Sequence, residues 1–89
     1  MELLLARSIA GHDKGQVYVV LSENDADVIL INGKNRTLTI PKRKRRKHVQ
    51  LIRHLPGELT GEAAALERWT DEGARKLIRM YLKEDSKIV

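Results

Sequence analysis

Gly11-His12-Asp13-Lys14-Gly15, followed after Gln16 by Val17-Tyr18-Val19-Val20-Leu21, is the stretch whose reading decides the fold. It separates two apolar runs, Leu3 to Ile9 and Val17 to Leu21. Two glycines four residues apart tolerate the positive φ that a tight turn between strands requires. Asp13 is expected to hydrogen-bond the backbone of its own turn, leaving Lys14 at the tip as an exposed cation. A glycine-bracketed turn with a basic tip is what a phosphate-contacting loop needs.

Working outward, the neighbouring segments also read as strands. Ser22-Glu23-Asn24-Asp25 forms a turn, and Val28-Ile29-Leu30-Ile31 is a second β-branched run. Asn32-Gly33 is the strongest short-range hairpin signal, since both central positions of a type I′ turn need positive φ. Arg36-Thr37-Leu38-Thr39-Ile40 alternates, with Leu38 and Ile40 on one face, and predicts a further strand that Pro41 ends or edges. His48 to Ile52 predicts a fifth, with Val49 and Leu51 on one face. Five short strands in about 50 residues suggest a small twisted barrel, mainly β, that hides its edges by closing on itself.

Leu55-Pro56-Gly57 marks a boundary, after which the apolar period changes from 2 to 3.6. The division predicted is a barrel over 1–54 and a helical extension over 55–89. Glu62 to Trp69 reads as a short helix capped by Thr60. A second helix starts at Thr70-Asp71-Glu72, with Thr70 as N-cap and two acids in the positive first turn. Ala74, Leu77, Ile78, Tyr81 and Leu82 form one apolar stripe, which must cover the barrel or a second copy. The last four residues are expected to fray.

The 89 residues suffice for one domain with a thin core, since a chain this short buries roughly 60–65% of its unfolded surface. There is no cysteine, which excludes disulfides and thiolate metal sites. No run approaches the roughly 20 apolar residues of a membrane span. The simplest expectation is a cytoplasmic protein with no membrane partner. Net charge is +5, unevenly placed: residues 1–54 carry eleven Lys/Arg against five Asp/Glu, and residues 55–89 carry six against seven. The excess belongs to the strand-rich part and points to a polyanion.

Lys42-Arg43-Lys44-Arg45-Arg46-Lys47 is the centre of that excess. On an extended backbone six cations cover about 20 Å, enough to span several phosphates. A polyanion relieves their mutual repulsion and releases its own condensed counterions. A solubilising loop is the plainer reading, but six like charges in a row exceed what solubility needs. A localisation signal fits less well, because the run leads directly into a strand. An anionic lipid surface would call for an amphipathic helix beside the cations, and the good helix here carries mixed charge.

The chain resembles KOW-motif proteins, and more narrowly the small bacterial KOW-domain RNA-binding proteins. These are similar to an SH3-like large-subunit ribosomal protein of archaea and eukaryotes. The resemblance covers about residues 3–50. It rests on Arg7-Ser8-Ile9-Ala10-Gly11-His12-Asp13-Lys14-Gly15, Val17-Tyr18-Val19-Val20, Asn32-Gly33-Lys34-Asn35-Arg36, Pro41-Lys42-Arg43-Lys44 and Lys47-His48, in that order. It implies a five-stranded SH3-like barrel of the KOW type working in ribosome- or RNA-associated roles. Gly15 then corresponds to the motif's defining glycine and Lys14 to the basic residue that the first loop offers to RNA. His12 stands where relatives commonly carry Arg, which lowers the loop's charge at neutral pH.

Other chemistries find little support. His12, His48 and His54 have no acidic or cysteine partner at ligand spacing, so no metal site is expected. Ser8, Ser22 and Ser86 lack a neighbouring base, the P-loop spacing is missing, and neither an enzyme nor a cofactor is expected. With only Tyr18, Trp69 and Tyr81 as aromatics, base stacking has few platforms, which favours backbone and shape recognition of structured RNA. The expected function is a non-catalytic RNA-binding module contacting ribosomal or other structured RNA, with the ribosome or its proteins as wider partners. Its contacts would be Lys14, Gly15, Lys34, Arg36, Lys42, Arg43, Lys44, Arg45, Arg46 and Lys47, with Arg7 and Arg53 of second rank. Replacing Arg43, Lys44, Arg45 and Arg46 with Gln is expected to weaken all RNA binding without unfolding. The alternative is a protein-interaction adaptor of the translation or transcription machinery. That reading gains if Leu77, Ile78 and Leu82 project away from the strands.

Overall fold

A computed structural model describes residues 1–86, with side chains through residue 83. Five strands form one antiparallel sheet: β1 (Leu5–Ser8), β2 (Val17–Glu23), β3 (Asp27–Ile31), β4 (Lys42–Arg45) and β5 (Val49–Ile52). A 3-10 turn, Arg46–His48, joins β4 to β5, and two helices follow, α1 (Gly57–Ala64) and α2 (Asp71–Ser86). The expected fraying falls on 86–89, where Ser86 is still helical and the rest lies outside the described residues. Among the described residues no helix is long and apolar enough to cross a membrane.

The strand order is β4-β3-β2-β1-β5, so the two end strands are consecutive in the chain. Three residues separate them, a reach of at most about 14 Å. The outer strands of a flat five-stranded sheet would stand about 19 Å apart. The sheet is therefore curled. A bulge between Val20 and Ser22 in β2 adds local twist in the same sense. The end strands approach without pairing: the order places no ladder between β4 and β5, and the sheet is not closed. The connection is held instead by Ile9 N–H donating to His48 O at 2.9 Å and Arg46 N–H donating to Ala26 O at 2.8 Å.

The curl gives the sheet two apolar faces. Ala6, Tyr18, Val20, Val28, Leu30 and Val49 fill the inside. Leu5, Val17, Val19 and Ile31 point the other way, where Leu59 and Ala63 of α1 and Ala74 and Leu77 of α2 cover them. Period 2 along β1 and β2 thus feeds two cores. Consecutive apolar residues in Val17–Val20 are buried on both faces, which explains why that run does not alternate with polar residues.

Two expected elements differ. Residues 36–40 form no strand. Asn32 closes a wider loop: its side-chain oxygen accepts from Lys34 N–H at 2.9 Å and Arg36 N–H at 3.0 Å. Leu38 N–H then donates to the Asp71 carboxylate at 2.9 Å, at the start of α2. The chain returns to β3 only at Lys42, opposite Leu30. The short helix also begins earlier than expected, just after Pro56, whose φ of −55° suits helix entry. Thr60 lies inside it, its hydroxyl bonded to Gly57 O, rather than capping it. Thr70 does cap α2, accepting from Gly73 N–H at 2.9 Å.

Gly33 explains how loop and helix meet. Its φ is +76°, and a Cβ there would collide with the Asp71 carbonyl and lie 2.7 Å from Arg75 Cγ. The glycine read as half of a hairpin turn serves a close approach to α2 as well.

Candidate nucleic-acid interface

The Gly11–Gly15 turn forms as its glycines require, with φ of +87° and +93°. Lys14 N–H donates to Gly11 O at 3.2 Å and Gly15 N–H to Ser8 O at 2.8 Å. Open space surrounds the point where a Cβ of Gly15 would be, so its conformation rather than crowding demands glycine. Lys14 is exposed at the tip.

Asp13 does not spend its carboxylate on the turn. Oδ1 accepts from Ser8 Oγ and from Lys44 Nζ, each at 2.8 Å. Oδ2 accepts from Tyr18 Oη at 2.7 Å and faces the Lys42 ammonium at 3.3 Å. Lys44 Nζ also donates to the Ala10 carbonyl at 2.9 Å, pinning β4 to the turn. Burial alone would push the Asp13 carboxyl up. The donors outweigh it, Lys44 first and then Tyr18, Ser8 and Lys42, and hold the group well below the usual carboxylate range. Tyr18 moves the opposite way: burial, then the hydrogen bond to Asp13 and its charge, push the phenol well above its ordinary value.

Strand pairing dictates this arrangement. Lys42 pairs with Leu30 and Lys44 with Val28, so both lysines share the inward face of those residues. They can point inward only because an ionised carboxylate waits there. Lys44 is 10% exposed, whereas Arg43, on the outer face, is 75% exposed. The cation run is therefore split. Lys42 and Lys44 hold the turn against the sheet edge, and Arg43 and Arg45 project from the other side.

The remaining expected contacts divide by partner. Arg43 donates to Asp27 from Nη2 at 2.7 Å, and Arg46 donates to Asn24 O at 3.1 Å and lies 3.6 Å from Glu23. Arg53 reaches the same Glu23 at 3.3 Å. Lys14, Lys34, Arg45 and Lys47 are exposed and Arg36 is half-buried, and none of the five has an ion pair among the described residues. Arg7 is half-buried on β1. The role of Asp13 escaped the sequence reading, although a signal existed. An alternating Lys-Arg-Lys-Arg strand must turn two cations inward, and an inward pair needs an acid. Comparison of the chain with protein-family models and with curated proteins finds no match in either.

Proposed function

We propose that this chain is a non-catalytic RNA-binding module, an SH3-like barrel of the KOW type that docks on structured, ribosomal RNA. The observation that carries the reading is the Lys44 ammonium bonded to both Ala10 O and Asp13. It fixes the lysine-tipped turn beside the cationic strand, so that the two basic segments are neighbours. The strand order and the three-residue link between the end strands support the barrel assignment. Five expected cations without ion pairs among the described residues, Lys14, Lys34, Arg36, Arg45 and Lys47, are ready to exchange water and counterions for phosphate oxygens.

Titration of the full chain with a labelled fragment of structured ribosomal RNA over a salt series tests this. If about five phosphates are neutralised, log affinity falls with log salt at a slope of about −4. The combined change Lys14→Gln, Arg45→Gln and Lys47→Gln is expected to flatten the slope by about 3 without moving the thermal midpoint. A salt-independent interaction, or a triple variant that binds like the parent, would overturn the reading. Duplex DNA as competitor separates RNA recognition from general polyanion binding. The three residues that bear on the adaptor reading divide: Leu77 is 2% exposed and packs against the sheet, Ile78 is half-buried, and Leu82 is 45% exposed, so only the first half of the stripe is taken up by the fold.

A further inference from the structure

Between the first turn, the loop after β3 and the outer side of α2 lies a cleft of about 570 Å³. Gly15 and Lys34 stand on one wall; Arg75, Ile78, Arg79 and Leu82 stand on the other. Among the described residues no acidic side chain lines it. We infer that this cleft is a seat for one nucleotide unit of the bound RNA, with its phosphate between Lys34 and Arg79 and its ring system on Ile78 and Leu82. The inference rests on the RNA-binding reading above and adds α2 to the contact surface.

Charge argues first. Arg75, Arg79 and Lys83 follow one another at i, i+4 and i+8, so like charges stack along one side of the helix. Arg75 and Arg79, one turn apart, repel each other, and an anion seated between them relieves that repulsion. Arg75 is already aimed, because its Nη1 donates to Gly33 O across the gap between helix and loop. That bond fixes one guanidinium and leaves its other donors for a ligand. Arg79, one turn further on, is exposed and has no ion pair among the described residues.

Shape and polarity narrow the occupant. The volume exceeds what a lone ion needs and falls within the range of small-molecule sites. Leu82 is 45% exposed at the end of an otherwise covered stripe, beside half-buried Ile78. An apolar wall next to guanidinium groups suits a ring attached to a phosphate better than a phosphate alone. Gly15 leaves the opposite wall open, since a ligand can approach its backbone where any side chain would intrude. The cleft includes both Gly15 and Lys34, so a strand held at the first turn can run directly into it.

The test uses the full chain, a labelled RNA hairpin as probe and anisotropy over a salt series. Arg79→Gln is expected to weaken binding about five- to tenfold near about 0.1 M salt and to flatten the slope by about 1. Leu82→Glu, which places a carboxylate in the cleft, is expected to weaken it further. Lys76→Gln is the control: it removes a charge from the same helix, but one paired with Glu62 at 3.2 Å and outside the cleft. It is expected to leave affinity within about twofold. Thermal melts check that each variant is folded, and Arg79→Gln alone suffices if Leu82→Glu is not. If the parent chain fails to bind, the RNA reading falls and this inference with it. If the parent binds while Arg79→Gln is neutral, or if Arg79→Gln and Lys76→Gln lose affinity equally, the cleft alone is overturned.

Discussion

The carboxylate of Asp13 collects four donors, two on each oxygen, from β1, β2 and β4. Its side chain is 11% exposed, so each donor replaces a water that cannot return if the acid is lost. Asp13→Asn keeps one acceptor oxygen but sets an amide donor against one ammonium and one hydroxyl, and leaves both lysines without their counter-charge. It is expected to cost about 2–4 kcal/mol, read from chemical denaturation. The pH dependence has a definite sign. Because the folded carboxyl titrates below its ordinary value of about 4, its contribution is fully present above about pH 5 and is lost as pH falls through that window. The parent's stability should therefore drop on acidification below about pH 5, and the Asp13→Asn variant should drop less. Equal acid sensitivity in both proteins would remove Asp13 from its central place.

Strand β4 shows what period 2 does to a run of charge. Its four residues are all cations, yet alternate ones meet different surroundings: an inward carboxylate for Lys42 and Lys44, open solvent for Arg45. Lys44→Gln is expected to destabilise the protein by about 1–3 kcal/mol, since the Ala10 carbonyl and Asp13 both lose a charged donor. Arg45→Gln should change stability by no more than about 0.5 kcal/mol while weakening RNA binding. Denaturation and RNA titration of this pair separate structure from contact. The expected quadruple change at 43–46 would confound the two, because it includes Lys44. The run was legible as a concentration of positive charge; its division was not, since it depends on which neighbour each pleat meets. The same holds for residues 36–40. They alternate as a strand should, but Asp71, far along the chain, offers Leu38 N–H a better partner than β3 does.

Across the whole molecule, the curled sheet and the helices share a core. Leu59, Ala63, Ala74 and Leu77 cover Leu3, Leu5, Val17, Val19 and Ile31, all at or below 9% exposure. Leu77→Ala is expected to cost about 2–4 kcal/mol, and Leu82→Ala little, as read from thermal or denaturant unfolding. Equal effects at the two positions would mean that α2 does not pack as described. A chain ended after His54 would uncover that face and is expected to lose cooperative unfolding. The helices also bring Arg75 and Arg79 to the loop after β3, so the part of the sequence with a slight acidic balance supplies cations to the basic side of the molecule.

Local chemistry fixed the glycine turn, the capped second helix, four of the five expected strand runs and the concentration of positive charge, because each depends on neighbours within a few residues. Folding at long range settled which cations are spent on Asp13, where β4 begins, and how α2 meets Gly33. Those outcomes hang on contacts between residues 31 to 42 positions apart, where hydrogen-bond partners and buried faces compete and pattern along the chain carries no record of the winner.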